Sequence, residues 1–119
     1  MNPLIGAYYY PGWHPCPVRD KAFPRGWSEW DLVYNGTSRF PGHEQPNIPL
    51  WGRQDESRPE VFSQKIRAAA GYGIDLFVFA FYWSRGKQLL HAALNQGFLQ
   101  SPERRDMLFA LMWANRMPR

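Results

Sequence analysis

Apolar positions cluster along the chain in three short blocks and recur at helical spacing in two further stretches, and the order of these features predicts the architecture. The first block, Leu4-Ile5-Gly6-Ala7-Tyr8-Tyr9-Tyr10, stops at Pro11-Gly12 and reads as a strand followed by a turn. Much later, Ser57-Arg58-Pro59-Glu60 has the form of a capping box, with Ser57 as N-cap, Glu60 three residues on and Pro59 in the first turn. The helix it opens carries Phe62, Ile66, Ala69 and Ala70 on one stripe, and Gly71 with Gly73 supplies a left-handed stop. Residues 74–83, Ile74 to Trp83, are almost unbroken apolar sequence and predict a strand buried on both faces. Leu90, Ala93, Leu94, Gly97 and Phe98 then share one face of a second helix that Ser101-Pro102 ends, and Met107 to Ala114 gives the third strand.

Between the first strand and the first helix, from Pro11 to about Ser57, no period is sustained, and seven of the 11 prolines fall there. Loops beyond ~12–15 residues without structure of their own are usually functional or disordered. Disorder is disfavoured by the rings in this stretch, Trp13, Phe23, Trp27, Trp30, Tyr34, Phe40 and Trp51, which would be costly to leave in water. The loop is therefore expected to be ordered and braced by proline, with a short helical turn at Ser28 to Val33.

The order strand, long loop, helix, strand, helix, strand implies parallel strands joined by right-handed crossovers. Three strands and two helices neither close a barrel nor cover both faces of an open sheet. A (β/α)₈ barrel takes ~250 residues, so residues 1–119 read as one α/β unit, the N-terminal βαβαβ portion of a (β/α)₈ TIM barrel with a long loop after its first strand. The unpaired edges of the outer strands predict self-association.

Composition and charge narrow the partners. The net charge is +4, yet the basic residues are scattered, and the nearest cluster is Arg104-Arg105 with the terminal Arg116 and Arg119. A nucleic-acid partner expects a basic stripe and is not expected on that ground; a third, weaker reading, a single-stranded nucleic-acid binder, would show steep salt dependence. The first residues offer no signal-peptide pattern, and no apolar run approaches the ~20 residues of a membrane span. Cys16 is the one cysteine, which forbids an internal disulfide and agrees with a reducing compartment; the expected location is cytoplasmic.

Aromatics reach 17% of residues, with six Trp, six Tyr and eight Phe, and they gather where a barrel would place its site. Functional positions on that fold lie at the C-terminal ends of strands. The first strand ends in Tyr9, Tyr10, Trp13 and His14, the second in Tyr82 and Trp83, and the third in Trp113 and Asn115. Any one ring reads as rim packing, but rings beside hydrogen-bonding groups at all three ends suit a sugar, with its apolar C–H face and ring of hydroxyls.

Glycoside cleavage needs two carboxylates, about 5 Å or roughly 6.5–9.5 Å apart, and no such pair stands at the strand ends. Asp75 begins a strand, at the structural end of a barrel; Glu60 belongs to the capping box; Asp55, Glu56, Glu103 and Asp106 read as solvated flanks. Of Glu29, Asp31 and Glu44 in the loop, Glu29 between Trp27 and Trp30 is the best candidate for a buried polar contact, buttressing nearby backbone amides rather than catalysing. His14, His43 and His91 lack ligand-like spacing, Cys16 has no activating partner, and Gly71-Tyr72-Gly73 precedes a strand rather than following one, so neither metal nor other cofactor is expected.

Four segments occur in order: Ile5-Gly6-Ala7-Tyr8-Tyr9-Tyr10-Pro11-Gly12-Trp13-His14, Trp27-Ser28-Glu29-Trp30, Phe40-Pro41-Gly42-His43-Glu44-Gln45-Pro46, and Leu111-Met112-Trp113-Ala114-Asn115. In this combination the chain resembles the WbsX-type, glycoside-hydrolase-99-like family from Leu4 to Asn115. The resemblance implies a (β/α)₈ barrel longer than this chain, acting on glycans in bacterial surface-polysaccharide (lipopolysaccharide) biosynthesis, as glycosyltransferases or as endo-acting α-mannosidases. It implies that the catalytic glutamate pair lies on later strands, past residue 119, so that this chain alone is inactive. By position it carries over a saccharide-binding rim of Tyr9, Tyr10, Trp13, His14, Glu29, Trp30, His43, Tyr82, Trp83, Trp113 and Asn115. Ala80-Phe81 stands where relatives often have a polar residue, and Arg116-Met117-Pro118-Arg119 departs from the family's continuation, which suggests a reading frame cut or shifted there. The competing reading is a stand-alone carbohydrate-binding module that uses the same rim without catalysis.

Overall fold

In the computed structural model, which describes residues 2–115, three parallel strands lie side by side with the middle one in sequence at the centre. Strand β1 (Gly6–Tyr9) pairs with β2 (Leu76–Ser84) from Gly6↔Leu76 to Tyr9↔Phe79. A short β3 (Lys87–Leu89) folds back on β2, and β4 (Leu108–Trp113) pairs with the other edge of β2 from Leu76↔Leu108 to Phe81↔Trp113. The observed order is that of a mixed α/β fold with a parallel sheet, as the block pattern implies. The Arg116 to Arg119 continuation lies outside the described residues.

One face of the sheet holds the core. Phe77 and Phe79 of β2 pack with Phe62 and Ile66 of α2 (Pro59–Gly71), and with Ala93, Leu94, Phe98 and Met107. Each fully buried phenylalanine contributes about 1.5–3 kcal/mol relative to an exposed one. On the other face, Leu76, Val78, Ala80 and Tyr82 of β2 are half-buried, while Tyr8, Leu108 and Met112 are exposed. The expectation of a strand buried on both faces is thus corrected: its apolar run serves a core on one side and is only half-buried on the other.

The capping box also needs correction. Helix α2 begins with Pro59 at its first position and Arg58 as N-cap, with no side-chain cap. Ser57 instead gives both its N–H and its hydroxyl to Asp55 Oδ1, at 2.9 and 2.6 Å, while Glu60 pairs with Arg58 in solvent. The nearer carboxylate outcompetes the more distant N-cap geometry. Of the two glycines expected to stop the helix, Gly71 is still helical and Gly73 takes the left-handed turn, at φ 89°.

The second helical stretch is present but wound more loosely, as a π-helix over Ala93–Phe98, with the expected Ala93, Leu94, Gly97 and Phe98 buried on it; Leu90, also buried, is not helical but precedes it at a left-handed φ of 51°. Gly97 permits this because a Cβ there would lie 2.6 Å from the Phe62 ring and against the Glu56 carbonyl. A one-turn 3₁₀ helix, Pro102–Asp106, then leads into β4. The β2–β3 hairpin was not expected; it turns on Arg85 and Gly86, whose φ angles of 49° and 75° both lie in the left-handed region that two-residue hairpin turns require.

The rings of the long loop are sheltered only in part: Trp30 is buried and Trp13 and Trp27 are half-buried, whereas Phe23, Tyr34, Phe40 and Trp51 are exposed. Helix α1 (Glu29–Tyr34) forms at the expected turn, with the Ser28 N–H donating to Asp31 Oδ2 at 2.9 Å. Trp30 is buried, packs against Trp13 at a 56° tilt with centroids 4.7 Å apart, and donates its indole N–H to the Gln54 carbonyl at 2.6 Å.

Candidate saccharide-binding site

At the C-terminal end of β1 a polar group assembles across the loop. The Tyr10 hydroxyl donates to Glu29 Oε1 at 2.8 Å, and Arg19 Nη2 donates to both, at 2.8 and 2.9 Å. Both charged side chains are mostly buried, at 16% and 19% exposure, so the pair is shielded from screening. The Arg19 guanidinium also lies 5.0 Å over the Trp27 ring, which stacks on Phe23 at 4.1 Å. Burial and then the Glu29 bond push the Tyr10 hydroxyl above its usual pKa, which keeps it a donor. The polar contact of Glu29 is part-buried rather than buried, and its partners are the Tyr10 and Arg19 side chains and not the backbone amides expected.

Two sets of rings stand at the ends of β2 and β4. Tyr82 meets Tyr10 edge-on, with centroids 6.2 Å apart. Trp83 and Trp113 sit beside Phe81, at 6.3 and 5.9 Å, and are 50% and 61% exposed, so both present ring surface to solvent. Asn115 follows, also exposed. Donors and an acceptor thus stand beside the Tyr82 ring on one face of the strand ends, and the exposed Trp83 and Trp113 rings lie on the other face, the one that carries Phe77 and Phe79.

The remaining candidates lie elsewhere. His14 is buried, its Nδ1 without a partner, and burial holds its pKa down to about 4, so it is neutral. Trp13 and Trp30 pack on each other, with Trp30 enclosed. His43 stacks on Phe40 at 4.6 Å and accepts the Arg39 N–H at its Nδ1. Tyr9 faces the helices, packed among Phe62, Phe77 and Phe79, with its hydroxyl held by Glu56 and by Lys65 Nζ at 2.8 Å from the latter.

Glu56 overturns the expectation of a solvated flank, since its side chain is wholly buried. It binds the Tyr9 hydroxyl and the Lys65 ammonium through Oε1, its backbone N–H donates to the Trp13 carbonyl at 3.3 Å, and Oε2 has no partner. Burial raises its pKa, with Lys65 pulling the other way. Nothing local marks it, because its partners are 47 and nine residues distant. Asp75 is structural as expected, its carboxylate taking the Ile5 N–H at 2.9 Å. Among the described residues no three His, Cys, Asp or Glu side chains are placed to hold a metal ion.

Comparison with known proteins points one way. The family model for glycosyltransferase WbsX matches residues 5–117. Two proteins of Xanthomonas campestris pv. campestris, from strain B100 and strain ATCC 33913, each bearing the name uncharacterized protein WxcX, are 36% identical over 110 residues. Those alignments cover 92% of this chain and 16% of the relatives, so the chain spans about a sixth of their length. No solved structure matches.

Proposed function

The chain belongs to the glycosyltransferase WbsX family, and from that premise we propose that residues 1–119 supply the opening strands and binding rim of a glycan-active, glycoside-hydrolase-99-like (β/α)₈ barrel. The observation that carries this reading is the arrangement at one end of one parallel sheet. Tyr10 and Tyr82 stand 6.2 Å apart there with Glu29 bonded to Tyr10, and the exposed Trp83 and Trp113 lie at the C-terminal ends of β2 and β4 on the opposite face of the sheet. The sheet order and the half-buried face with the exposed Tyr8, Leu108 and Met112 support the unfinished barrel.

In this reading neutral sugar rings lie on Trp83 and Trp113, and the Tyr10–Glu29–Arg19 group binds sugar hydroxyls. Glu29, held by Arg19 and Tyr10, serves in this reading as a binding group rather than as one of an acid pair. Bond cleavage or transfer then depends on groups that the longer relatives carry elsewhere, and the chain alone binds without turnover. The open edge of β4 and the apolar face draw a second copy in their absence.

Calorimetry of the purified chain with α-linked mannan or rhamnan oligosaccharides tests this. Saturable binding that is insensitive to salt, lost in Trp83→Ala, and unaccompanied by product on chromatography is the expected result. Turnover by the chain alone overturns the division of labour, and no binding overturns the rim.

A further inference from the structure

The long loop carries a second cleft, of about 980 Å³, between the Pro24–Gly26 turn, α1 and the segment 35–45. Its size is in the range of small-molecule sites, roughly 300–1,000 Å³. Three guanidinium groups, Arg25, Arg39 and Arg53, line it against a single carboxylate, Asp31. Arg53 is committed to Asp31 Oδ2 at 3.2 Å, and Asp31 is kept ionised by the Ser28 N–H, which lowers its pKa. Arg25 and Arg39 have no carboxylate partner among the described residues, so the cleft keeps two uncompensated cations.

The remaining lining is suited to a bound oxyanion. His43 accepts the Arg39 N–H at Nδ1, so its ring proton is on Nε2, a further donor. Trp27 forms a fixed wall because it is stacked on Phe23. A guanidinium fork matches the two oxygens of a carboxylate or phosphate and binds them more strongly than a neutral hydroxyl. The rim differs, since its one guanidinium, Arg19, is already neutralised by Glu29.

We propose that this cleft binds the anionic group of an acidic saccharide, a carboxylate or phosphate on the sugar, through Arg25 and Arg39, with His43 as a supporting donor. The proposal rests on the reading that the chain handles saccharides, and it assigns charge selection to the loop and ring stacking to the strand ends.

The experiment titrates the whole chain with trigalacturonate, its methyl ester, glucose 1-phosphate and a neutral mannan trisaccharide, by calorimetry at low and moderate salt and by backbone amide NMR. Trigalacturonate or glucose 1-phosphate is expected to bind at least tenfold more tightly than the ester, to weaken with salt, and to shift the amides of Gly26 and Arg39. Whichever of the two binds tighter identifies the carboxylate or the phosphate as the source. The Arg25→Gln/Arg39→Gln variant is expected to lose that tenfold preference while binding the neutral trisaccharide as before, which also reports that it folds. Equal affinity for acid and ester, unmoved Gly26 and Arg39 amides, or an acid preference that survives in the variant overturns the proposal. Neutral binding without acid preference sinks the cleft alone, and acid preference without neutral binding sinks the rim alone.

Discussion

Lys65 of α2 is ion-paired with Glu56, a carboxylate 0% exposed, and the same ammonium donates to the Tyr9 hydroxyl at 2.8 Å. The three side chains fasten the end of β1, the end of the long loop and α2 to one another. A buried pair of this kind adds little net stability over apolar packing, but removing one partner strands the other. Lys65→Met leaves the Glu56 carboxylate buried without a counter-charge and is expected to cost about 3 kcal/mol. Glu56→Gln leaves Lys65, which is 19% exposed, able to reach water, and should cost less, about 1–2 kcal/mol. Urea unfolding of both variants checks the ordering; a Lys65→Met variant as stable as the parent shows that Glu56 is not held as an ion.

Two buried groups impose opposite pH dependences. His14 is pushed from 6.5 to about 4 by burial, so between those values the unfolded chain binds the proton and the folded one does not. Its contribution to stability is therefore complete above about 6.5 and lost as the pH falls toward 4, worth up to about 3 kcal/mol. Glu56 is raised from 4.5, so above that value the folded state holds its proton more tightly, and stability from this group falls as pH rises. Thermal melts from pH 4 to 7 should show net stabilisation with rising pH, flattened in His14→Gln and steepened in Glu56→Gln. A His14→Gln profile parallel to the parent's rules out a neutral buried His14.

Gly97 sits where the π-helix meets both the Glu56 carbonyl and the Phe62 ring, with no room for a Cβ. Gly97→Ala is expected to cost about 1–3 kcal/mol, as overpacking does, in spite of alanine's better helix propensity. Gly71→Ala is a control, since nothing lies within 4 Å of a Cβ there, and it should be neutral or slightly stabilising. Similar melting points for the two variants contradict the close approach.

The contrast between these residues shows what sequence pattern carries. Phe62, Ile66, Phe77 and Phe79 announce themselves by period, since a helix stripe and an apolar run are local properties. Glu56 sits in the polar run Gln54-Asp55-Glu56-Ser57, and only a fold that brings Tyr9 and Lys65 to it makes burial tolerable. The spacing of Ala93, Leu94, Gly97 and Phe98 does not separate a π-helix from an ordinary one, because the same four residues are buried whether the turn closes at four residues or five, and Leu90 is buried from outside the helix. The half-exposed face of β2 escaped notice because an apolar run does not say whether a covering layer is present in the same chain. Of the expected rim, Tyr82, Trp83 and Trp113 lie on strands and Tyr10 just past one, but which face each ring takes follows strand parity, which turns Tyr9 toward the helices and sets Trp83 and Trp113 on the face opposite Tyr82.

The β2–β3 hairpin ties backbone strain to the proposed rim. Trp83 faces Gln88 in its ladder, and the turn that sets this register holds Arg85 at φ 49°, where an L side chain crowds its own backbone. Asparagine accepts that conformation readily and, followed by Gly86, forms the preferred hairpin turn. Arg85→Asn is therefore expected to raise stability by about 0.5–1 kcal/mol. A β-branched residue resists it, so Arg85→Val should lower stability by about 1–2 kcal/mol and loosen the register that presents Trp83. Thermal melts measure the first effect, and neutral-oligosaccharide titration measures the second, with weaker binding for Arg85→Val alone. If both variants bind like the parent, Trp83 does not depend on the hairpin for its position, and the rim would have to be built from Tyr10, Tyr82 and Trp113 without it.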